Sequence, residues 1–543
     1  MAGTGAGRRI TAAGWDIRWD ADQAAQAYAD GWWRSDTAAD ALAHAARDTP
    51  DRILLIDGDH CLTAAGLHDQ AQRLAQALLV RFPVGSVISF MLPNWQEAAV
   101  IYMGATLAGM VANPILPSLR DHDLRFILAD VDSRMIFVPE RFRGHDYGAM
   151  LERVAAEMEN PPEIVIVRGE DGKVCAYDAL LTSAPTTGRP LPALDADEVR
   201  MVMYTSGTTG RPKGVMHSHN SINALIRQIG RHWLVEPGDR FLVPSPISHI
   251  GGSIYAFETP LLLGATAILM EQWNPDDAVR IMAEADCTHM AGATPFLQHL
   301  LAAARAADTR LPALKLFICG GASVPPALIR EAASYFEQAV VSRVYGSTEL
   351  PVTTVGVIDR ADITHAAETD GRPGIATVRI APDGEIRARG PQMMVGYIHK
   401  ADEAASFDPD GYYRSGDQGA WVDGDHLVVT GRIKDLIIRN GENIAPKEIE
   451  DLLVGHDAIA EIAIVGLPDA RTGERAVAVI VPRPGATPDV AALATHLAGH
   501  GVARFKYPEA VALWDALPKN DAGKVLKQQI RARLVEEAAP ATS

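Results

Sequence analysis

Cysteine is scarce. Cys61, Cys175, Cys287 and Cys319 are the only four in 543 residues, and no two stand at a metal-binding spacing. They read as small buried hydrophobes in a reducing compartment, not as a disulfide framework. Positive charge is short too: 50 Lys and Arg against 68 Asp and Glu give a formal net charge of −18. With no long Lys/Arg run, a nucleic-acid partner is not expected. The first twenty residues, MAGTGAGRRITAAGWDIRWD, lack an apolar stretch of signal-peptide length. The best membrane candidate, AVIYMGATLAGMVANPILP from Ala99, is interrupted by two glycines and an Asn-Pro. It predicts a helix, a turn at Gly109 and a buried strand, not an integral membrane segment. The expected setting is cytoplasmic, for a monomer or homodimer.

What remains is an ordinary globular balance, 48% hydrophobic and 22% charged, in a chain long enough for more than one domain. From about residue 50 to 430, strand-length apolar runs (VGSVISFML, SRMIFVPE, PEIVIVRG, RFLVPSPI, ATAILM, ALKLFICGG) alternate with helical segments such as TAAGLHDQAQRLAQALL. That alternation predicts an α/β fold with stacked, mainly parallel sheets and flanking helices. The last hundred or so residues read differently: EIAIVGLPD, ERAVAVIVPR and PEAVALWDAL as short strands, with the helix DVAALATHLAGH between the latter two. They predict a small, mobile α+β domain. The boundary is placed at Lys434, dividing residues 1–433 from 434–543. The segment GRIKDLIIRNGENIAPKEIE supplies a Gly-Arg turn, a hinge and a hairpin.

One loop stands apart. YTSGTTGRPKG, Tyr204 to Gly214, packs glycines, hydroxyls and two cations between the apolar run VRMVM and the helix-like SINALIRQIG. Glycines let backbone N–H groups turn toward one point, and hydroxyls and Lys213 add donors. A strand–loop–helix setting suits a phosphate. The spacing is not that of the common nucleotide loop, because Lys213 is followed by Gly214 and the residue five on from Gly207 is Pro212. Composition alone leaves it equally a mobile surface loop.

Four other polar, glycine-containing stretches follow apolar runs: VYGSTE (Val344 to Glu349), YRSGDQG (Tyr413 to Gly419), GRIKD, and LPKNDAGKVLK (Leu517 to Lys527). A Tyr beside Gly can lie against a purine base. Thr348 can hydrogen-bond a phosphate, and Glu349 offers hard oxygens for Mg²⁺. Asp417, in a turn, can accept from ribose hydroxyls, and Arg432 can add a donor. Singly, each is a common strand end, Asx turn or solvated basic turn. Together, in this order and spacing over nearly the full chain, they resemble the adenylate-forming superfamily of acyl-CoA synthetases, aryl-CoA ligases, peptide-synthetase adenylation domains and beetle luciferases.

The resemblance implies a set of roles. Thr205, Ser206, Gly207, Thr208, Thr209, Gly210 and Lys213 hold the β- and γ-phosphates of ATP. Gly320, Gly321 and Ala322 line the adenine slot, with Tyr345 on the base beside Gly346. Thr348 contacts the α-phosphate and Glu349 the Mg²⁺. Asp417 and Arg432 bind the ribose, and Lys524 reaches in from the small domain. A carboxylate attacks the α-phosphorus, pyrophosphate leaves, and the acyl-adenylate passes its acyl group to the thiol of coenzyme A. For the second step the small domain swings about Lys434 and Gly441 lies against the pantetheine arm. Relatives often carry Gly-Gly-Glu-Asn there, where this chain has Asn440-Gly441-Glu442-Asn443.

His249 falls where relatives place a gate between acyl pocket and thiol tunnel. Ile250, Gly251, Gly252, Ser253, Tyr255, Ser347 and Pro351 form the expected pocket wall. With no charge there to meet an ammonium or a second carboxylate, an apolar monocarboxylic acid is expected. Finer resemblance is to bacterial cyclohexanecarboxylate–CoA ligases and medium-chain relatives. The alternatives are an acyl- or aryl-AMP ligase loading a separate carrier protein and, remotely, a non-catalytic nucleotide sensor or luciferase-like chemistry.

Overall fold

The computed structural model describes residues 7–169, 176–183, 189–205, 211–321, 324–440, 442–469, 471–520 and 523–538. Two seven-stranded sheets dominate. One runs, edge to edge, Glu163–Val167, Ser133–Pro139, Val87–Phe90, Val111–Pro114, Val199–Thr205, Lys213–Ser218 and Gly396–Tyr397, parallel up to Val199–Thr205 and antiparallel beyond. The other runs Val340–Val344, Leu316–Gly320, His289–Gly292, Arg240–Val243, Thr266–Leu269, Ile53–Asp57 and His60–Thr63, with only its last pair antiparallel.

Helices Ala64–Arg81, Gln96–Leu107 and His219–His232 share one apolar core with residues of both sheets. Such a position explains the run that imitates a membrane span: every residue from Ala98 to Leu107 is buried. The helix ends before Gly109 (φ +64) and is followed by the strand Val111–Pro114, as the sequence predicts. No helix among the described residues is long and apolar enough to cross a membrane. Close approach is built in at Gly104, where a Cβ would lie 2.8 Å from the Leu74 side chain.

A four-stranded antiparallel sheet, Thr377–Ile380, Glu385–Arg389, Tyr413–Val422 and His426–Arg432, follows the two large ones. The alternation read from the sequence did not foresee it. Beyond it, Ile437–Arg439, Glu442–Ile444, Ile459–Asp469, Gly473–Pro482 and Ala510–Leu513 form a separate five-stranded sheet. Helices Pro446–Leu453 and Val490–Gly499 cover one face, around Ile464, Ala478 and Leu497. Helix Lys527–Ala538 covers the other through Ile530 and Leu534, so this unit carries its own core.

Candidate active site

Two local expectations are corrected here. The glycine loop does not run from strand to helix. Lys213–Ser218 is a second strand that pairs antiparallel with Val199–Thr205, setting Thr205 opposite Lys213. The loop therefore connects two antiparallel strands, and helix His219–His232 begins only after the second of them. VMHS keeps β-geometry because Val215 and Met216 are buried between neighbouring strands. Ser206, Gly207, Thr208, Thr209 and Gly210 lie outside the described residues. Lys213 projects beside the Tyr397 ring, 5.2 Å from its centroid, with the Asp402 carboxylate at 3.9 Å.

Asp417, in turn, is on a strand and not in a turn. It sits opposite Arg432 on the Tyr413–Val422/His426–Arg432 hairpin. Arg432 Nε pairs with the Asp417 carboxylate, 2.9 Å from Oδ1, and the Tyr345 hydroxyl donates to Oδ2 at 2.8 Å. One carboxylate thus fixes a guanidinium and an aromatic ring, joining the expected base platform to the expected ribose acceptor. Burial, then the Asp417 charge, pushes the Tyr345 phenol up.

Tyr345 follows the strand Val340–Val344, and two hydrogen bonds with Thr354 hold its backbone, N to Oγ1 at 2.8 Å and O from the Thr354 N–H at 3.1 Å. Space is tight at Gly346, where a Cβ would stand 2.5 Å from the Val352 nitrogen, and at Gly320, where it would stand 2.9 Å from the Val344 carbonyl. Gly321 takes φ +82 with nothing near it, a conformation that favours glycine. Ala322 lies outside the described residues.

His217 fixes Thr348, a pairing that no motif marks. This fully buried imidazole donates from Nε2 to the Thr348 carbonyl at 2.7 Å. Burial holds its pKa down at about 4, against the opposing pull of that carbonyl, so the ring is neutral. Next in the chain, the Glu349 Oε1 accepts from the Tyr397 hydroxyl at 3.0 Å. Ser347 closes the turn by accepting from the Leu350 N–H through its hydroxyl.

Lys524 comes from the other unit. Its backbone N–H donates to the Asn520 side chain at 2.8 Å. Gly523 beside it (φ +77) would, with a Cβ, touch Pro295 at 3.3 Å, so this turn rests on the start of helix Thr294–Ala306. The ammonium enters the field of Arg432, Asp417, Lys434 and Asp435. Burial, then Arg432, brings its pKa from 10.5 to about 8. Desolvation by the surrounding residues, followed by the Lys524 charge, lowers the His249 pKa, although the side chain keeps contact with solvent. Its Nδ1 accepts the Gly251 N–H at 3.2 Å, capping the helix Ile250–Ser253 and leaving Nε2 to carry the proton of the neutral ring. Lys434 lies in the short turn Ile433–Asp435. Gly441 lies outside the described residues.

The expected wall follows His249. Gly252 is jammed: a Cβ would lie 2.1 Å from the Pro246 carbonyl oxygen. A π-helical turn, Ile254–Glu258, carries on from it. Tyr255 packs into the core, stacked on Phe241 at 5.8 Å. Ser253 is buried, and so is Pro351. Behind the wall the sequence reading missed a pair. Arg200 and Glu258, each 1% exposed, meet at 3.2 Å, with the Tyr102 hydroxyl also on Glu258. The signal was present as the lone acid in GGSIYAFE.

Residues 42–398 match the family model described as AMP-binding enzyme, and residues 448–524 that of the AMP-binding enzyme C-terminal domain. The chain is 31% identical over 537 residues to the medium-chain fatty-acid–CoA ligase of Escherichia coli strain K12, covering 93% of each. It is 32% identical over 511 residues to the 3-[(3aS,4S,7aS)-7a-methyl-1,5-dioxo-octahydro-1H-inden-4-yl]propanoyl:CoA ligase of Rhodococcus jostii strain RHA1, covering 91% of this chain and 98% of that one. Among solved structures, ATP-bound MatB from Rhodopseudomonas palustris superposes with a TM-score of 0.83 at 26% identity, over 93% of this chain and 100% of its own. A cleft that brings a cationic turn from a small unit against a tyrosine, a carboxylate and an arginine of a large one belongs with these relatives: the chain is a member of the AMP-binding enzyme family, an AMP-forming acid–CoA ligase.

Proposed function

We propose that this ligase acts on an apolar monocarboxylic acid, a medium-chain fatty acid or an alicyclic acid such as cyclohexanecarboxylate. The observation that carries the reading is charge closure along the acyl wall. Ile250 to Ser253 are uncharged, and the one acid on the following turn, Glu258, is spent on Arg200. With Glu258 set against Arg200, the wall offers no net charge to a second carboxylate or an ammonium, whose burial unpaired is costly.

In the first step a carboxylate oxygen bonds to the α-phosphorus as the bond to the β-phosphate oxygen breaks, and pyrophosphate leaves. Two anions must approach, so positioning and charge neutralisation carry catalysis. Lys524 stands between the carboxylate and the α-phosphate. Lys213 and the loop Thr205 to Gly210 hold the leaving phosphates. Tyr345 supports the base, Asp417 and Arg432 hold the ribose, and Thr348 donates to the α-phosphate. Glu349 suits Mg²⁺, since the Tyr397 bond uses only one of its oxygens. When bound, the ion neutralises phosphate charge. In the second step the thiol sulfur attacks the acyl carbon, AMP leaves, and the thioester forms. We assign Lys434 as the pivot between residues 1–433 and 434–543, His249 as the gate, and Gly441 to the thiol channel.

The experiment is ATP- and CoA-dependent pyrophosphate release over a panel of cyclohexanecarboxylate, benzoate and linear acids, with the acyl-CoA product quantified. An optimum at alicyclic or medium-chain acids is expected. A preference for dicarboxylates or amino acids overturns the substrate reading. Adenylate without thioester overturns the assignment of CoA as acceptor and points to a carrier protein.

A further inference from the structure

The turn after the strand Val87–Phe90 holds a side chain whose hydrogen bonds all cross to the other large sheet. Asn94 is 4% exposed. Its Nδ2 donates to the carbonyls of Val243 at 3.0 Å, Ser245 at 2.9 Å and Met270 at 3.1 Å, and its Oδ1 accepts from the Ile247 N–H at 3.0 Å. Flipping the amide would set its oxygen against three carbonyls, so one orientation satisfies the site. Val243 and Met270 stand at the C-terminal ends of two parallel neighbours, Arg240–Val243 and Thr266–Leu269. The next two residues extend the seam. Trp95 Nε1 donates to Glu271 at 2.6 Å, and the Gln96 N–H to Asp57 at 3.1 Å.

Ser245 and Ile247 belong to the connection that leads from the strand Arg240–Val243 to His249, Pro244-Ser245-Pro246-Ile247-Ser248. Its two prolines bring no N–H, and it pairs with no strand. Among the described residues, the Ser245 carbonyl and the Ile247 N–H have Asn94 as their hydrogen-bond partner and no other. One amide thus does for this loop what a neighbouring strand would do, donating on one side of Pro246 and accepting on the other. The Pro246 carbonyl, held between them, accepts the His249 N–H at 3.0 Å. The same carbonyl forms the close contact at Gly252.

We propose that Asn94 is a positioning residue for thioester formation, holding the 244–248 loop so that His249 stands at the junction of acyl pocket and thiol channel. The inference rests on the assignment of His249 as the gate. Asparagine suits the task because a short side chain carries both donors and an acceptor. A carboxylate would face three carbonyl oxygens, and a leucine of similar shape would leave Ser245 and Ile247 unpaired. The hydrogen bonds of Asn94 reach backbone atoms alone, and none goes to Lys213, Thr348 or Lys524, the groups assigned to adenylation. Its loss should therefore separate the two half-reactions. A displacement of about 1 Å can cost about a hundredfold in rate.

The test compares full-length Asn94→Ala, Trp95→Phe, His249→Ala and the double variant Asn94→Ala/His249→Ala, well below each melting temperature. Pyrophosphate release without CoA, at saturating acid and ATP, reports adenylation; acyl-CoA formation from supplied acyl-AMP reports the second step. In Asn94→Ala the second step should fall about tenfold or more while adenylation stays within about threefold. Trp95→Phe removes the neighbouring stitch to Glu271, and should lower the melting temperature without changing the ratio of the two rates. The double variant should be no slower in the second step than His249→Ala, since the two residues act as a unit. If Asn94→Ala does not fold, Asn94→Ser carries the same comparison. Equal loss in both half-reactions, the same change of ratio in Trp95→Phe, or additive losses in the double variant overturn the proposal. A slow His249→Ala beside an unimpaired Asn94→Ala overturns it alone. A wild-type second step in His249→Ala removes the gate assignment and the proposal with it.

Discussion

Lys524→Met isolates one charge at little cost in shape. Burial and Arg432 bring the ammonium from 10.5 to about 8, a difference worth about 3 kcal/mol against the charged form. The side chain keeps some contact with solvent, so about 2 kcal/mol is the working figure. The cation is therefore a burden on the docked turn until a polyanion arrives. Replacing it with Met should leave the melting temperature unchanged or slightly higher. The chemistry should suffer. A preorganised donor aimed at developing charge is worth roughly 3–4 kcal/mol, so adenylation should fall about 10²–10³-fold. Thioester formation from supplied acyl-AMP should change by only a few-fold. In the wild type, kcat/KM for ATP should fall as pH rises through about 8, because the free enzyme loses the ammonium there. The residual activity of the variant should lack that limb. The assays are pyrophosphate release and acyl-CoA formation measured separately between pH 6.5 and 9.5. Equal damage to both half-reactions, or an unaltered alkaline limb, would refute the role given to Lys524.

Three further outcomes are expected. His217 titrates at about 4 in the fold against 6.5 when unfolded, so the unfolded chain binds the extra proton between those values. Its contribution is complete above about pH 6.5 and lost as pH falls toward 4, by about 3 kcal/mol; urea midpoints at pH 7 and 4.5 should converge in His217→Gln. Glu258→Gln strands the Arg200 charge and should cost about 3–5 kcal/mol, while the double change to Met at both positions should recover most of it in thermal or urea melts. Gly252→Ala places a Cβ against the Pro246 carbonyl oxygen. It should cost about 2 kcal/mol or more and lower activity by disturbing His249; a wild-type melting temperature and rate would count against the tight contact.

Periodicity carried the architecture well where neighbours agree with propensity. The runs around Val87, Ser133, Glu163, Thr266 and Leu316 are strands, and the Ala99 segment resolves into helix, turn and strand. The antiparallel sheet from Thr377 to Arg432 stayed hidden because its strands are half-exposed and interrupted by Arg and other polar residues. Strand KGVMHS was masked by the glycines before it and the helix after it. Motif order located Asp417, Arg432, Tyr345 and Lys524, which the fold brings to one cleft across more than a hundred residues of sequence. His217, Tyr397 and Arg200 were illegible for a different reason. Each acts through a partner distant in sequence, Thr348, Glu349 and Glu258 respectively, and no local pattern marks such a pair.

The segment after His249, proposed here as the acyl wall, is pinned at both ends, by the Gly252 contact at one and the Arg200–Glu258 pair at the other. Anyone redesigning this enzyme for a different acid inherits that constraint. Mutant libraries that randomise the whole segment will spend most of their members on unfolded protein. Variation confined to Ile250, Gly251 and Ile254, with both anchors left alone, samples side-chain volume while the helix stays in place, and backbone displacement becomes a choice made elsewhere in the chain.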